Sequence, residues 1–235
     1  MFLASRSLNK ALPLVALAMV PIGLALYLQD THPFSQTLAS RHIDLDAYKS
    51  DNRLNFATAA RQLDGQIIRP GESFSFNRCV GPRTVKRGFV PARGFVGNEV
   101  LSTEGGGICL VSSMLYQAAL LSGLEVTSRT PHGKRVASVP PGLDATVWYG
   151  QTDLIVNNPY DRPVQIIART RGDDTGKADL EIGFAGDKDL GQRVAAAGYR
   201  LDRREIGRRG DTLLVEVQLA SRNRDKTISR DKYKL

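Results

Sequence analysis

Between Gly105-Gly106-Gly107 and Gly123 lies a stretch, Ile108 to Leu121, with no charged residue and apolar side chains at most helical positions. Glycines open it and a glycine at the C′ position closes it, which predicts a helix. Leu110, Val111, Met114, Leu115, Ala118, Ala119 and Leu121 give that helix so broad an apolar face that it has to be mostly buried. The rest of the chain must therefore supply its cover. Downstream, the pattern changes to short strands over 124–130, 134–139, 144–149, 153–157, 162–170 and 178–184. A final hairpin pairs 193–206 with 212–220 around Arg209-Gly210-Asp211. Upstream, Phe56, Ala59, Ala60 and Leu63 fall at i, i+3, i+4 and i+7, predicting a helix over 52–63. Gln66–Ile68 and Ser73–Phe76, separated by Pro70-Gly71, read as a hairpin, and the glycine-rich stretch 80–107 as a long irregular segment. The fold class is α+β: one buried helix, starting at a glycine-rich turn, packed on an antiparallel sheet, with a β-rich part towards the C-terminus.

The first 28 residues read as a targeting segment. Arg6 and Lys10 precede an uncharged apolar run from Ala11 to Leu28, and Asp30 ends it. Its length and charge order fit a signal anchor or a signal peptide, with the basic residues left inside. Either places the remaining chain on the extracytoplasmic side of a membrane, with 29–50 as a polar linker, 51–170 as the main domain and 171–235 as a β-rich extension of it. The formal net charge of +8 leans towards the C-terminus, where Arg200, Arg203, Arg204, Arg208 and Arg209 cluster. For an outward-facing chain that charge fits lipid head groups or anionic wall polymers, and nucleic acid is not an expected partner.

With 2 cysteines and 3 histidines, the sequence lacks the ligand sets of the common zinc motifs, and no metal or other cofactor is expected. Cys109 is a different matter. It stands in the first turn of the buried helix, where the helix N-terminus favours the thiolate, its reactive form. Backbone N–H groups around Gly105, Gly106, Gly107 and Leu110 could approach a substrate oxyanion. A cysteine nucleophile needs a base, and His132 is the one histidine beyond residue 42. Asp144 follows at the start of a predicted strand and could orient the imidazole. Helix-start cysteine, strand-end histidine and strand-borne aspartate is the order of papain-like and transglutaminase-like thiol enzymes. Other roles stay open for each residue: Cys109 as a buried thiol or a disulfide partner of Cys79, His132 and Asp144 as turn residues. Ser112 and Ser113 read as helix-interior hydroxyls bonding back to carbonyls. Tyr116, Trp148 and Tyr149 read as core or strand aromatics.

Several blocks in order, PGESFSFN (70–77), VGPRT (80–84), RGF (87–89), GGGICLVSSMLYQAALLSGLEV (105–126), R-x-x-H (129–132), VPPGLDATV (139–147) and DLIVNN (153–158), resemble the VanW family, named for an accessory protein of a vancomycin-resistance cluster. The resemblance implies an extracytoplasmic bacterial protein linked to the cell envelope, and it puts Cys109, His132, Asp144 and Arg83 inside family motifs. Cys79 stands where the family pattern more often has an aliphatic residue. This chain has Leu110 where the family usually has Gln, Gly133 where Ser is usual and Leu143 where Arg is usual. The expected function is that of a membrane-anchored envelope protein carrying a Cys109–His132–Asp144 thiol site for peptidoglycan stem-peptide amides, with Arg83 among the substrate contacts. The alternatives are a non-catalytic module binding wall peptide or a lipid-linked precursor, and a structural envelope scaffold.

Overall fold

The computed structural model describes residues 33–96, 99–172 and 178–235. The Ala11–Leu28 run lies outside them. Among the described residues no helix is long and apolar enough to cross a membrane.

The architecture is mixed α and β, with antiparallel sheets throughout. Strands β1 (Gln36–Asp44), β2 (Ile67–Ile68), β8 (Val164–Gly172) and β9 (Ala178–Gly186) form the main sheet in the order β1-β9-β8-β2. On it lie helices α1 (Ser50–Leu63) and α3 (Cys109–Leu121), α1 against β8 and α3 against β1 and β9. Every residue of α3 from Leu110 to Leu120 is buried, as its composition requires. Its end is a Schellman motif. Gly123, at φ +71°, lets its own N–H reach Leu120 O (3.0 Å) while Leu124 N–H reaches Ala119 O (2.9 Å).

A short helix α2 (Phe76–Val80) follows strand β3 (Ser73–Ser75), which joins β6 (Glu125–Ser128) and β7 (Ile155–Asn157) in the order β3-β7-β6. Strands β4 (Pro91–Val96) and β5 (Glu99–Glu104) form a hairpin inside the stretch expected to be irregular. Helix α4 (Lys188–Ala197) leads into a meander of β10 (Arg200–Arg209), β11 (Thr212–Ala220) and β12 (Asp225–Lys234). The meander has a small core of its own, Leu213, Val215, Val217 and Tyr233, against which Leu143 and Leu201 pack.

Several expectations need correction. Gln36–Asp44 falls in the stretch read as a polar linker, yet it pairs with β9 along its length as an edge strand whose side chains are mostly not buried. The Pro70-Gly71 turn forms, with Glu72 N–H bonded to Arg69 O (3.0 Å), but the strands it joins part company: β2 pairs with β8 and β3 with β7. Neither 134–139 nor 144–149 becomes a strand; single bridges at Thr130–Thr146, Lys134–Lys234 and Trp148–Thr152 are what remains of the pattern. Residues 193–197, read as strand, end α4. The signals for that helix are Asp187, whose side chain accepts from Leu190 N–H (2.8 Å), and Gly198 in the left-handed region.

Candidate active site

The three glycines ahead of α3 pass between the β4 backbone and α1. Asn52 and Asn55, both buried on α1, each donate a side-chain N–H to Gly106 O, at 3.0 and 3.1 Å. Asn55 also exchanges two hydrogen bonds with Val90, acting as a local stand-in for a paired strand. A side chain at Gly106 would begin 1.9 Å from Ala92 O, so the approach is open to glycine alone. The loop thus delivers Cys109 to a fixed point. Gly106, Ile108 and Leu110 spend their N–H groups within the turn, on Thr103 O, Gly105 O and Gly107 O. The N–H groups of Gly107 and Cys109 take no protein acceptor among the described residues.

Segment 143–147 runs alongside α3 and is wired to it by side chains instead of a strand ladder. Gln117 Nε2 donates to Leu143 O (2.9 Å), Ser112 Oγ to Ala145 O (2.7 Å), and Ala145 N–H to Ser113 Oγ (2.9 Å). Ser113 Oγ also donates back to Cys109 O, as expected for a helix-interior hydroxyl. Cys109 Sγ lies 3.7 Å from Val147 O. Because helix side chains satisfy this backbone, the segment needs no neighbouring strand, which is why the alternation over 144–149 did not produce one.

That wiring sets Asp144, which is fully buried, beside His132, which is 8% exposed. Asp144 Oδ2 accepts from His132 Nδ1 (2.6 Å) and from the His132 backbone N–H (2.7 Å). The ring shares a groove wall with Cys109, and the interaction between the two is one of the causes that raise the imidazole. The three predicted residues therefore converge: thiol, imidazole and carboxylate in sequence. Burial opposes a charge on His132, but its bonds to Asp144 and Cys109 outweigh that and raise it to about 9. Asp144 goes the other way. Burial raises it, while bonds from His132 and Tyr233 and the charge of Arg129 hold it down at about 2.

These shifts have a consequence for stability. His132 contributes stability that is fully present below its ordinary value of 6.5 and is lost as pH rises through about 9. Asp144 contributes stability present above 3.8 and lost as pH falls through about 2. Denaturant midpoints of the wild-type chain should therefore fall between neutral and alkaline pH more steeply than those of His132→Gln. Parallel curves would contradict the assignment.

Other residues of the site were given no role from the sequence, although Arg129 falls in the R-x-x-H block. Arg129, 7% exposed in its side chain, bonds Asp144 Oδ1 (3.0 Å), Asp144 O (2.7 Å) and Asp231 Oδ2 (2.6 Å), and its guanidinium lies over the Tyr116 ring at 5.1 Å. Tyr233 Oη donates to Asp144 Oδ1 (2.6 Å) and accepts from Gly142 N–H (2.7 Å). A groove of about 760 Å³ opens onto Cys109 and His132 and is lined by the glycine loop, Tyr48, Asn52, Phe56, Arg83, Leu110, Val139 and Val147. Trp148 and Tyr149, read from sequence as core or strand aromatics, stand 42% and 51% exposed at its rim. They occupy the turn that follows the helix-wired segment, so they have no sheet to pack into. Tyr116 is buried, as expected.

Arg83 lines the same groove, its stem against Gly105 and its guanidinium bonded to Gly81 O (2.8 Å) and Asn77 Oδ1 (2.6 Å). No carboxylate pairs with it among the described residues. Cys79 is not bonded to Cys109; both are free thiols. The disulfide reading is overturned by placement: Cys79 Sγ donates to Gln62 O on α1 (3.1 Å), and burial pushes its thiol up to about 11, a poor setting for a nucleophile. Among the described residues no three metal-ligating side chains gather.

The family model described as VanW like protein matches residues 51–178, more than half of the chain. The chain belongs to the VanW-like family. Two relatives agree. It is 41% identical over 118 residues to the uncharacterized protein YoaR of Bacillus subtilis, a match covering 50% of this chain and 39% of that protein. It is 31% identical over 124 residues to the vancomycin B-type resistance protein VanW of Enterococcus faecalis, covering 51% of this chain and 45% of that one. The chain thus matches less than half the length of either relative. No solved structure matches it. The matched region holds Cys109, His132 and Asp144, but it stops short of the β10–β12 meander that brings Asp231 and Tyr233 to them.

Proposed function

We propose that this VanW-like protein is an acyl-transferring thiol enzyme of the bacterial cell envelope, acting on amide bonds of peptidoglycan stem peptides. The observation that carries the reading is His132, held by Asp144 on one side and reaching Cys109 on the other, at the wall of an open groove. That is the arrangement of base and orienting group a cysteine nucleophile requires. It is also the relation found in papain-like enzymes, on a fold with its own layout.

In the reaction, Sγ attacks the acyl carbon with the Cys109 proton held on His132. A C–S bond forms and the carbonyl oxygen becomes an oxyanion, within reach of the unspent N–H groups of Gly107 and Cys109. Of the expected Gly105, Gly106, Gly107 and Leu110, only Gly107 keeps its N–H unspent, and Cys109 joins it. With Leu110 following the cysteine, no side-chain donor stands at that position, so the backbone supplies this role. Collapse breaks the C–N bond, and His132 returns the proton to the leaving amine. Water or a second amine then attacks the thioester and frees Cys109, giving hydrolysis or transpeptidation. Asp144 holds the imidazole in orientation throughout. Arg83, cationic and without a carboxylate partner, suits a substrate bearing a free carboxylate near the scissile bond. Trp148 and Tyr149 offer apolar area at the groove mouth.

The Ala11–Leu28 run would tether the domain to the outer face of the membrane, and the arginines of β10 would face anionic polymer. The name of the Enterococcus relative, a vancomycin-resistance protein, fits a role at the wall. The test is intact-protein mass spectrometry of the full chain incubated with a muropeptide mixture. A covalent acyl adduct should appear on the wild type and be absent from Cys109→Ala, with turnover reduced roughly 10³-fold or more. Equal muropeptide affinity in both proteins, with no adduct and no turnover, would instead identify a binding module.

A further inference from the structure

The last strand of the meander lies outside the region that defines the family, yet it touches the proposed site at three places. Lys234 N–H donates to Gly133 O (3.0 Å) and Arg135 N–H to Lys234 O (3.0 Å), so β12 is bonded to the chain directly after His132. Tyr233, 1% exposed, puts its hydroxyl on Asp144 Oδ1. Asp231, 9% exposed, takes the Nη1 end of Arg129, and Ser229 Oγ donates to the same carboxylate oxygen (2.9 Å). The meander is seated there by its own core: Gly142, at φ +91°, packs so closely on Val215 and Val217 that a Cβ would come within 2.6 Å of Val217. Arg203 Nε closes the contact by donating to Pro141 O (2.8 Å).

Charge balance gives these contacts a meaning. Arg129 is a buried cation and Asp144 a buried anion; alone, they would neutralise each other and leave His132 facing a neutral pair. Asp231 supplies a second carboxylate to Arg129. The cluster of Arg129, Asp144 and Asp231 then carries one surplus negative charge, the amount needed to face an imidazolium. Among the described residues, Cys109 from α3 and Asp144 face the His132 ring, and through Asp144 the set Arg129, Asp231 and Tyr233. Tyr116 lies beneath Arg129, and Arg83 lines the groove beyond Cys109. Tyr233 has a separate task. It and Arg129 both occupy Oδ1 of Asp144, which leaves Oδ2 for His132.

We propose that the β10–β12 meander is a working part of the site, with Asp231 and Tyr233 as positioning residues: Asp231 frees the charge of Asp144 for His132, and Tyr233 fixes which carboxylate oxygen faces the ring. The inference rests on the reading of His132 as the base that serves Cys109. It also implies that a fragment ending at the family boundary would hold the triad residues without their charge balance.

The experiment is an NMR titration of the His132 ring in the full chain, wild type against Asp231→Asn, Asp231→Glu and Tyr233→Phe. Asp231→Asn keeps shape and removes charge; the His132 midpoint should fall by about one pH unit, as when an opposite charge is lost nearby. Asp231→Glu should restore most of it. Tyr233→Phe keeps the ring packed and should weaken or broaden the downfield Nδ1–H signal of the bond to Asp144. A His132 midpoint unchanged in Asp231→Asn overturns the role of Asp231, and an unchanged Nδ1–H signal in Tyr233→Phe overturns that of Tyr233. Both readouts belong to the resting protein. A chain that forms no acyl adduct but shows both changes would dismiss acyl transfer and leave the charge balance standing.

Discussion

Replacing His132 with alanine is expected to slow alkylation of Cys109 by iodoacetamide roughly 100-fold near neutral pH, the lower end of what a positioned base contributes. Three features make the effect large. The imidazole is almost fully buried, so solvent cannot readily take its place; its Nδ1 is committed to Asp144; and it lines the same groove as the thiol. Its raised pKa keeps a proton beside the sulfur across the neutral range, and a thiolate formed next to an imidazolium reacts as one half of an ion pair. Cys79 provides an internal control. Its thiol is pushed up to about 11 by burial and is bonded to Gln62 O, so its labelling rate should be slow and unaffected by the substitution. Peptide mapping after timed labelling separates the two cysteines. Equal rates at Cys109 in wild type and His132→Ala would remove the histidine from the mechanism, and uniform resistance of Cys109 would remove the thiol.

Gly106→Ala should unfold much of this region. The added methyl has to occupy space 1.9 Å from Ala92 O and 2.5 Å from Ala92 C, both backbone atoms of a strand paired in a hairpin. No side chain can rotate away to make room. Either β4 withdraws from α1, breaking the Asn52 bond to Arg93 O, or the loop lifts and loses both asparagine bonds to Gly106 O. We expect a destabilisation of about 3 kcal/mol or more, the upper range for overpacking of a close-packed contact. For a chain of this size that is a fall in Tm of about 6 to 12 °C. Gly65→Ala is the comparison: nothing lies within 4 Å of a Cβ there, and its positive φ alone would cost on the order of 1 kcal/mol. Thermal melts of the two variants should differ widely. A Gly106→Ala protein as stable as wild type would show that the loop is not held in the tight passage described.

The helix and the place of Cys109 in its first turn were legible in the sequence for the same reason: each depends on local signals. Gly105–Gly107, the apolar run and Gly123 specify α3 within one residue of its start, and Cys109 is read from its place in the first turn. The helix over 52–63 is legible by periodicity, though its buried face holds Asn52 and Asn55, whose partners lie on a loop some fifty residues away. What the sequence could not convey was pairing. Ile67–Ile68 and Ser73–Ser75 flank a true turn, yet their partners are chosen by the distant strands β8 and β7. The polar stretch 36–44 has little apolar signal because an edge strand exposes much of its surface. Asp231 and Tyr233 sit in a charged strand, DKTISRDKYK, whose alternation is weak. Their importance comes from what they meet at Arg129 and Asp144. Helix α4 was missed: its start and stop signals, Asp187 and Gly198, stand in the sequence, but 193–206 read as strand.

The segment that carries Asp144 is attached to its neighbour by hydroxyls and an amide, not by a ladder. A ladder bond is supplied by the peptide unit, so any residue that tolerates the backbone preserves it. The attachment of 143–147 depends instead on Ser112, Ser113 and Gln117, and a single codon change can release or re-aim it. The carboxylate that orients His132 thus sits on a stretch joined to α3 by side chains, while the thiol follows a glycine, Gly106, with no room for a Cβ. A chain built this way can retune its base without moving its nucleophile.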